Sequence, residues 1–403
     1  MAGRGWACGS RGVGLGWPFV LPVLLLALLV GCGGRSATDS VRADVQRVLD
    51  RRAAAVLAHD ADAYAATGER AGYARLRAVP LAAWSYRVTA VHRAGDTATA
   101  DAELSYRIEE HDRAPVTVSR TVRLSRDADG RWTVLSEQPA QKAGGQLWDQ
   151  GTVAVVRGAH SLVLGVGQSG ARLRTFADLA DRAVPAVSRA WGTDWARHVV
   201  LLVPKSLDGM AALLGSPASS YRGIAAVTTG ETSGADRTPA DRVIVNPDAY
   251  GVLGPVGQQV VLTHETTHVA TRAHTNAATP LWLSEGYADW VGYRGTGRTP
   301  KQAAPDLESA VTRGEVPGEL PADGDFGFAG DADRLARAYE GGWLACRMIA
   351  EQWGEERLEA FYRAVEEHGK RDGAVEGAMR GVLGTTVTDF TAEWRQYLRD
   401  QLA

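Results

Sequence analysis

His264 and His268 stand four residues apart in the run His264-Glu265-Thr266-Thr267-His268, and Glu285 follows in Trp282-Leu283-Ser284-Glu285-Gly286-Tyr287-Ala288-Asp289. No other stretch constrains the fold as much. On a helix, residues four apart lie one turn along the same face, so both imidazoles reach one metal ion while Glu265 stands beside it. A chain built this way must hold that helix rigid at the edge of a cleft and bring a further ligand against it.

Zinc in a catalytic site takes three protein ligands and keeps a fourth position for water, whose pKa falls to about 7. His264 and His268 supply two of the three. Glu265 lies next to the ligands without needing to be one, so it can take a proton from water and pass it to a leaving amine. Leu262 and Val269 point away from the histidines and can hold the helix against the core. Two residues compete for the third place. His274 completes a His-Glu-x-x-His-x-x-Gly-x-x-His spacing, but Thr271 stands where that pattern needs glycine to turn sharply, and a β-branched residue suits the turn poorly. The methionines, at positions 1, 210, 348 and 379, also leave none just downstream where such a pattern places a methionine turn. Glu285 fits better, because Thr279-Pro280 can open a second helix on which Glu285 and Asp289 lie four apart on one face.

These segments resemble the gluzincins, the thermolysin and M1-aminopeptidase group of zinc peptidases, and within them the peptidase MA-like proteins. Trp282 to Ala288 is similar to the Trp-Leu-Asn-Glu-Gly-Phe-Ala segment of M1 enzymes. The resemblance implies zinc held by His264, His268 and Glu285, with Glu265 as general base and acid. Asp289 matches the thermolysin-type aspartate that fixes the first histidine, which would hold His264 in its tautomer. Tyr339-Glu340-Gly341-Gly342-Trp343 resembles a Tyr-Glu-Lys-Gly segment whose tyrosine steadies the oxyanion, implying that role for Tyr339, although Gly341 replaces the lysine. The chain departs from M1 enzymes in lacking a Gly-x-Met-Glu-Asn segment, which anchors a free amino group. Tyr221 to Thr228, including Gly223, Ile224, Ala225 and Ala226, occupies that region. Read as an apolar edge strand, it would bind an extended peptide or protein substrate through its backbone, which suits an endopeptidase. Two other readings stay open: a metzincin using His274, and a catalytically inactive zinc fold serving a binding or assembly lipoprotein.

With 403 residues the chain has room for two or three domains. Its 44 Lys+Arg against 47 Asp+Glu build no positive field, so nucleic acid is not an expected partner. Arg4 and Arg11 precede an apolar run from Phe19 to Val30 that ends in Leu29-Val30-Gly31-Cys32. This resembles a bacterial lipoprotein signal over residues 1–31, cut before Cys32, which would carry a lipid and anchor the protein to the outer face of the cell membrane. An uncleaved anchor or a plain secretory signal is the alternative. Residues 32–40 read as a tether, and Cys346, in an apolar stretch, as a small buried side chain.

Val41, Val45, Val48, Leu49 and Val56 recur at helical spacing. Alternating β-formers follow at Trp84–Val91, Thr97–Ile108, Val116–Leu124 and Trp132–Leu135. A helix and several antiparallel strands make an α+β layer over residues 41–140 that resembles NTF2-like domains in architecture. After a polar linker at Gln138–Gly145, residues 147–403 read as the gluzincin-type unit. It would start with a hairpin at Val153–Val156 and Ser161–Val166, a helix at Thr175–Trp191, and strands at His198–Val203, Tyr221–Thr228 and Arg242–Val245, and then become a helical lobe from Pro255. Within that lobe, Arg294 to Gly330 is rich in Gly, Pro and Asp and long enough to be a mobile flap.

Overall fold

The computed structural model describes residues 37–141, 143–229, 240–327 and 331–403. The expected signal over 1–31, the lipidation site Cys32 and most of the 32–40 tether lie outside these residues. Among those described, no helix is long and apolar enough to cross a membrane.

The fold is α+β. Its first layer opens with α1 (Ala37–Leu57), whose periodic Val41, Val45, Val48, Leu49 and Val56 are all buried. Two short helices, α2 (Ala61–Ala65) and α3 (Ala71–Leu76), come next, neither of them visible in the sequence pattern. Helices of five or six residues are too short to show a period. Four strands then form an antiparallel meander in chain order: β1 (Leu81–Ala94), β2 (Thr97–Ile108), β3 (Val116–Arg126) and β4 (Trp132–Pro139). Along β2 every second residue from Ala98 to Ile108 is buried, the period-2 signature of a sheet with one face on a core.

The second layer is a mixed sheet of β5 (Val153–Arg157), β6 (Ser161–Val166), β7 (Val199–Val203), β8 (Ala226–Thr228) and β9 (Arg242–Val245), in the order β5-β6-β7-β9-β8. The central strands β6, β7 and β9 run parallel, so β7 and β9 must each be reached by a crossover. Helix α4 (Gly170–Trp191), capped by Ser169, makes the first of these, and α5 (Leu207–Leu214) lies on the second. Side chains of β6 alternate between two cores. Leu162, Leu164 and Val166 pack with the first layer, whereas Val163 packs with α4 and the residues beyond it. Burial on both faces explains why these strands are continuous apolar runs.

The expected strand from Tyr221 to Thr228 is corrected. A helical turn covers Ala218–Tyr221, and only Ala226–Thr228 joins the sheet, as its edge. The cause is Asn246, fully buried, whose side-chain amide donates to the carbonyls of Tyr221 (3.0 Å) and Ile224 (2.9 Å) and bends the chain there. Gly223, Ile224 and Ala225 therefore offer no extended edge; Ala226 does belong to β8.

The helical lobe comprises α6 (Pro247–Gly251), α7 (Pro255–Thr271), α8 (Leu281–Tyr293), α9 (Pro300–Ala303), α10 (Pro305–Thr312), α11 (Ala332–Gln352), α12 (Glu355–Glu367), α13 (Ala374–Ala378) and α14 (Val387–Leu402). Helix α8 is its axis, buried from Trp282 to Ala288 and packed on both α7 and α11. A helix buried over so much of its length belongs in an interior, and two glycines let its neighbours approach closely. Gly286 sits against the backbone of Gly342 on α11, and Gly292 against the carbonyl of Val260 on α7.

The stretch from 294 to 330 is also not the open flap its composition implied. Helices α9 and α10 occupy it, and Ala303, Ala304, Leu307, Ala310 and Val311 are buried in the lobe; residues 328–330 lie outside those described. Glu340 of α11 fastens it, accepting the backbone N–H groups of Asp306 (3.3 Å) and Leu307 (2.6 Å) at the start of α10. Burial pushes the Glu340 carboxyl up to about 7, against the opposing pull of those two N–H groups. A carboxyl whose pKa rises on folding stabilises most below its unfolded value of 4.5, and that contribution fades as pH climbs to about 7. Glu340→Gln, which cannot ionise, is therefore expected to remove a stability decline of about 1–3 kcal/mol between pH 5 and pH 8, measured as the difference between wild-type and variant denaturant curves. Parallel curves at the two pH values would contradict it.

Candidate metal centre

Helix α7 carries the two histidines although it is polar on most of its surface. Buried Thr263, Thr266 and Thr267 turn their hydroxyls back on the carbonyls of Gln259 (2.8 Å), Leu262 (2.6 Å) and Thr263 (2.8 Å). Each thus satisfies its hydroxyl within its own helix. Leu262 and Val269 hold the opposite side to the core behind the mixed sheet. At its C-terminal end Arg272 donates to the Asp241 carboxylate (2.8 Å) and to the Thr229 carbonyl (3.1 Å).

Helix α8 begins at Leu281, directly after Pro280, and brings Glu285 to α7. His264 Nε2 and His268 Nε2 are 3.0 Å apart, and Glu285 Oε2 lies 3.2 Å from the first and 3.3 Å from the second. Three ligand atoms around a tetrahedral ion with bonds near 2.0–2.1 Å are separated by about 3.3 Å. The observed triangle has those edges. His264, His268 and Glu285 form the one group of potential metal ligands of this kind among the described residues. The donor set also demands a cation: two imidazole nitrogens and a carboxylate oxygen converge in a buried place, and only protons or a metal ion can relieve their repulsion. Two imidazoles and a carboxylate are a protein ligand set that catalytic zinc takes.

Asp289, one turn beyond Glu285, accepts from His264 Nδ1 at 2.8 Å. A carboxylate can only accept there, so Nδ1 keeps its proton and Nε2 is the atom turned to the group. Burial alone would depress the His264 pKa, but the Asp289 and Glu285 carboxylates outweigh it and hold it well above its ordinary value. Burial likewise raises Glu285, and the facing His268 and His264 outweigh that, holding its carboxyl well below the usual range.

Glu265 is buried beside these residues yet contributes no atom to the group. Its Oε2 accepts from the Thr228 hydroxyl at 2.6 Å, and its backbone carbonyl lies 3.1 Å from the same hydroxyl. Nothing in the sequence marked Thr228, since threonine is ordinary in a strand. Tyr339, on α11, lies with its ring 6.3 Å from that of His264 and 5.2 Å from Phe326. Ala226, two residues before Thr228, is at the sheet edge nearest α7, whereas Gly223, Ile224 and Ala225 are in the preceding bend.

His274 is not part of the group. Arg363 donates to its Nε2 at 2.8 Å, its Nδ1 is 3.6 Å from Glu366, and its ring packs on Trp191. The metzincin ligand set fails because the chain continues from α7 into a further helical turn at Arg272–His274, which directs His274 to α12. Cys346 is fully buried, and burial pushes its thiol well up.

No protein-family model matches the chain, and no curated protein matches it. Among solved structures, native yeast LTA4 hydrolase aligns at 12% identity with a TM-score of 0.37, over 68% of this chain and 43% of that one. A Deinococcus radiodurans M1 zinc metallopeptidase bound to a Tyr-Ser-Ala substrate aligns at 14% identity with a TM-score of 0.31, over 79% of this chain and 60% of that one. The chain thus spans less than two thirds of the length of either.

Proposed function

We propose that this protein is a zinc-dependent peptidase of gluzincin type, held at the extracytoplasmic face of a membrane by a lipid on Cys32. The observation that carries the catalytic reading is the triangle of His264 Nε2, His268 Nε2 and Glu285 Oε2, with edges of 3.0, 3.2 and 3.3 Å. Bound there, zinc would supply a Lewis acid that polarises a peptide carbonyl and acidifies water. The side chains do the rest. Asp289 keeps the His264 Nδ1 proton in place, so that Nε2 is always the ligand atom. Glu265 holds the proton taken from the attacking water and delivers it to the departing amine nitrogen. Tyr339, beside His264, donates to the oxygen that gains charge as the carbonyl carbon becomes tetrahedral. The β8 edge at Ala226–Thr228 is short but lies against α7, and it would align an extended peptide by its backbone.

The test uses soluble protein from Ser36 onward. It is expected to bind one zinc per chain and to cleave members of a mixed peptide library, to lose cleavage on chelation and to regain it with zinc. One tightly held zinc with no turnover of any peptide would favour a binding lipoprotein on an inactive zinc fold.

A further inference from the structure

Carboxylates beside a metal are good ligands, and Glu265 is one residue from His264 on the same helix. Its carboxylate nevertheless stands outside the ligand group. What holds it is a residue from a different element: Thr228, at the end of edge strand β8, only 2% exposed, with its hydroxyl 2.6 Å from Glu265 Oε2. Position 228 is fixed in turn. Val227 and Thr228 pair with Ile244 and Val243 of β9, and Thr229 is bonded to Arg242 through both its backbone N–H (2.9 Å) and its hydroxyl (3.0 Å). Arg272 at the end of α7 grips the Thr229 carbonyl, so strand and metal helix are locked in register at this point.

We propose that Thr228 is a positioning residue that restrains the Glu265 carboxylate from ligating the metal and so keeps it available as a base. The proposal rests on the zinc-site reading above. One oxygen of Glu265 is engaged by the hydroxyl and the rotamer is set, which leaves the other oxygen to take a proton. Without the hydroxyl, a buried carboxylate next to a divalent cation has no better partner than the ion itself. It would swing onto the open coordination position and displace water.

The test needs no substrate. Metal-free protein is titrated with cobalt(II) alone, whose visible ligand-field spectrum reports the number and kind of ligands. Thr228→Ser, which keeps the hydroxyl, is expected to reproduce the wild-type spectrum. Thr228→Val and Thr228→Ala are expected to shift it and, through the added carboxylate ligand, to bind cobalt more tightly, on the order of 10-fold. Adding Glu265→Gln to Thr228→Val should return the wild-type spectrum, because the ligand that moved in is gone. A Val variant indistinguishable from wild type, or a shift that survives in the double variant, overturns the proposal. Failure of the wild type to take up cobalt instead brings down the metal-site reading itself, and this inference with it. With a cleavable peptide in hand, Thr228→Val should lower kcat about 10-fold at unchanged KM, with Ser restoring it.

Discussion

Glu265→Gln is expected to bind zinc as wild type does and to lose peptide hydrolysis by about 10²–10⁴-fold in kcat. The substitution is nearly isosteric in a site where Glu265 is buried, and the amide oxygen still accepts the Thr228 hydroxyl. Only proton transfer is removed. Because Glu265 contributes no atom to the metal group, zinc content and thermal stability should be preserved, which separates loss of chemistry from loss of the site. Metal analysis and single-turnover assays on the same preparation decide it. Cleavage at wild-type rate in a zinc-loaded variant would reject Glu265 as the proton carrier.

Gly286→Ala, by contrast, is expected to damage fold and site together. A β-carbon at Gly286 would collide with the carbonyl group of Gly342 across the α8–α11 contact, and one at Gly342 would come within 2.7 Å of the Trp282 carbonyl. Both obstacles are helix backbone, so relief requires the helices to move apart. Overpacking of this kind costs about 1–3 kcal/mol or more, against about 1 kcal/mol gained from alanine's helix propensity. The displacement also reaches the chemistry, since Glu285 adjoins the altered residue and Tyr339 lies one turn before Gly342. Zinc affinity should therefore fall along with stability. Gly377→Ala is the control: that position lies within α13 with nothing in reach of a β-carbon, and the change should be neutral or slightly stabilising. Equal denaturation midpoints for the two variants would show that the glycine contact is not the constraint described.

The meeting of His264, His268, Glu285 and Asp289 was legible because it depends on helical spacing within two adjacent segments, and geometry of that kind is carried locally. The long meander strands were legible for the same reason. What escaped depends on contacts distant in sequence. Asn246 bends the chain at Tyr221–Ile224, a stretch whose composition favours a strand, by capturing carbonyls more than twenty residues away. Glu340 anchors the start of α10, within the Gly- and Pro-rich stretch after Arg294, from a separate helix, and apolar Ala303, Leu307 and Val311 carried a core signal that the loop-like composition masked. Gly286, Gly292 and Gly342 were visible as small residues in helical segments, the one available sign that three helices cross closely. Thr228 left no sign at all, because its partner is defined only when β8 meets α7.

The alternation along β6, together with the ion pair in which Arg242 on β9 grips the buried Asp112 after β2 at 2.7 and 2.8 Å, bears on how the gene can be shortened. A version starting at Leu147 would strip Leu162, Leu164 and Val166 of their cover and leave the Arg242 guanidinium stranded beside Asp241, which Arg272 ties to the end of α7. Such a fragment would aggregate. For expression, crystallisation or directed evolution, the smallest workable piece therefore begins near Val41, and the front third of the protein is the foundation on which the mixed sheet stands.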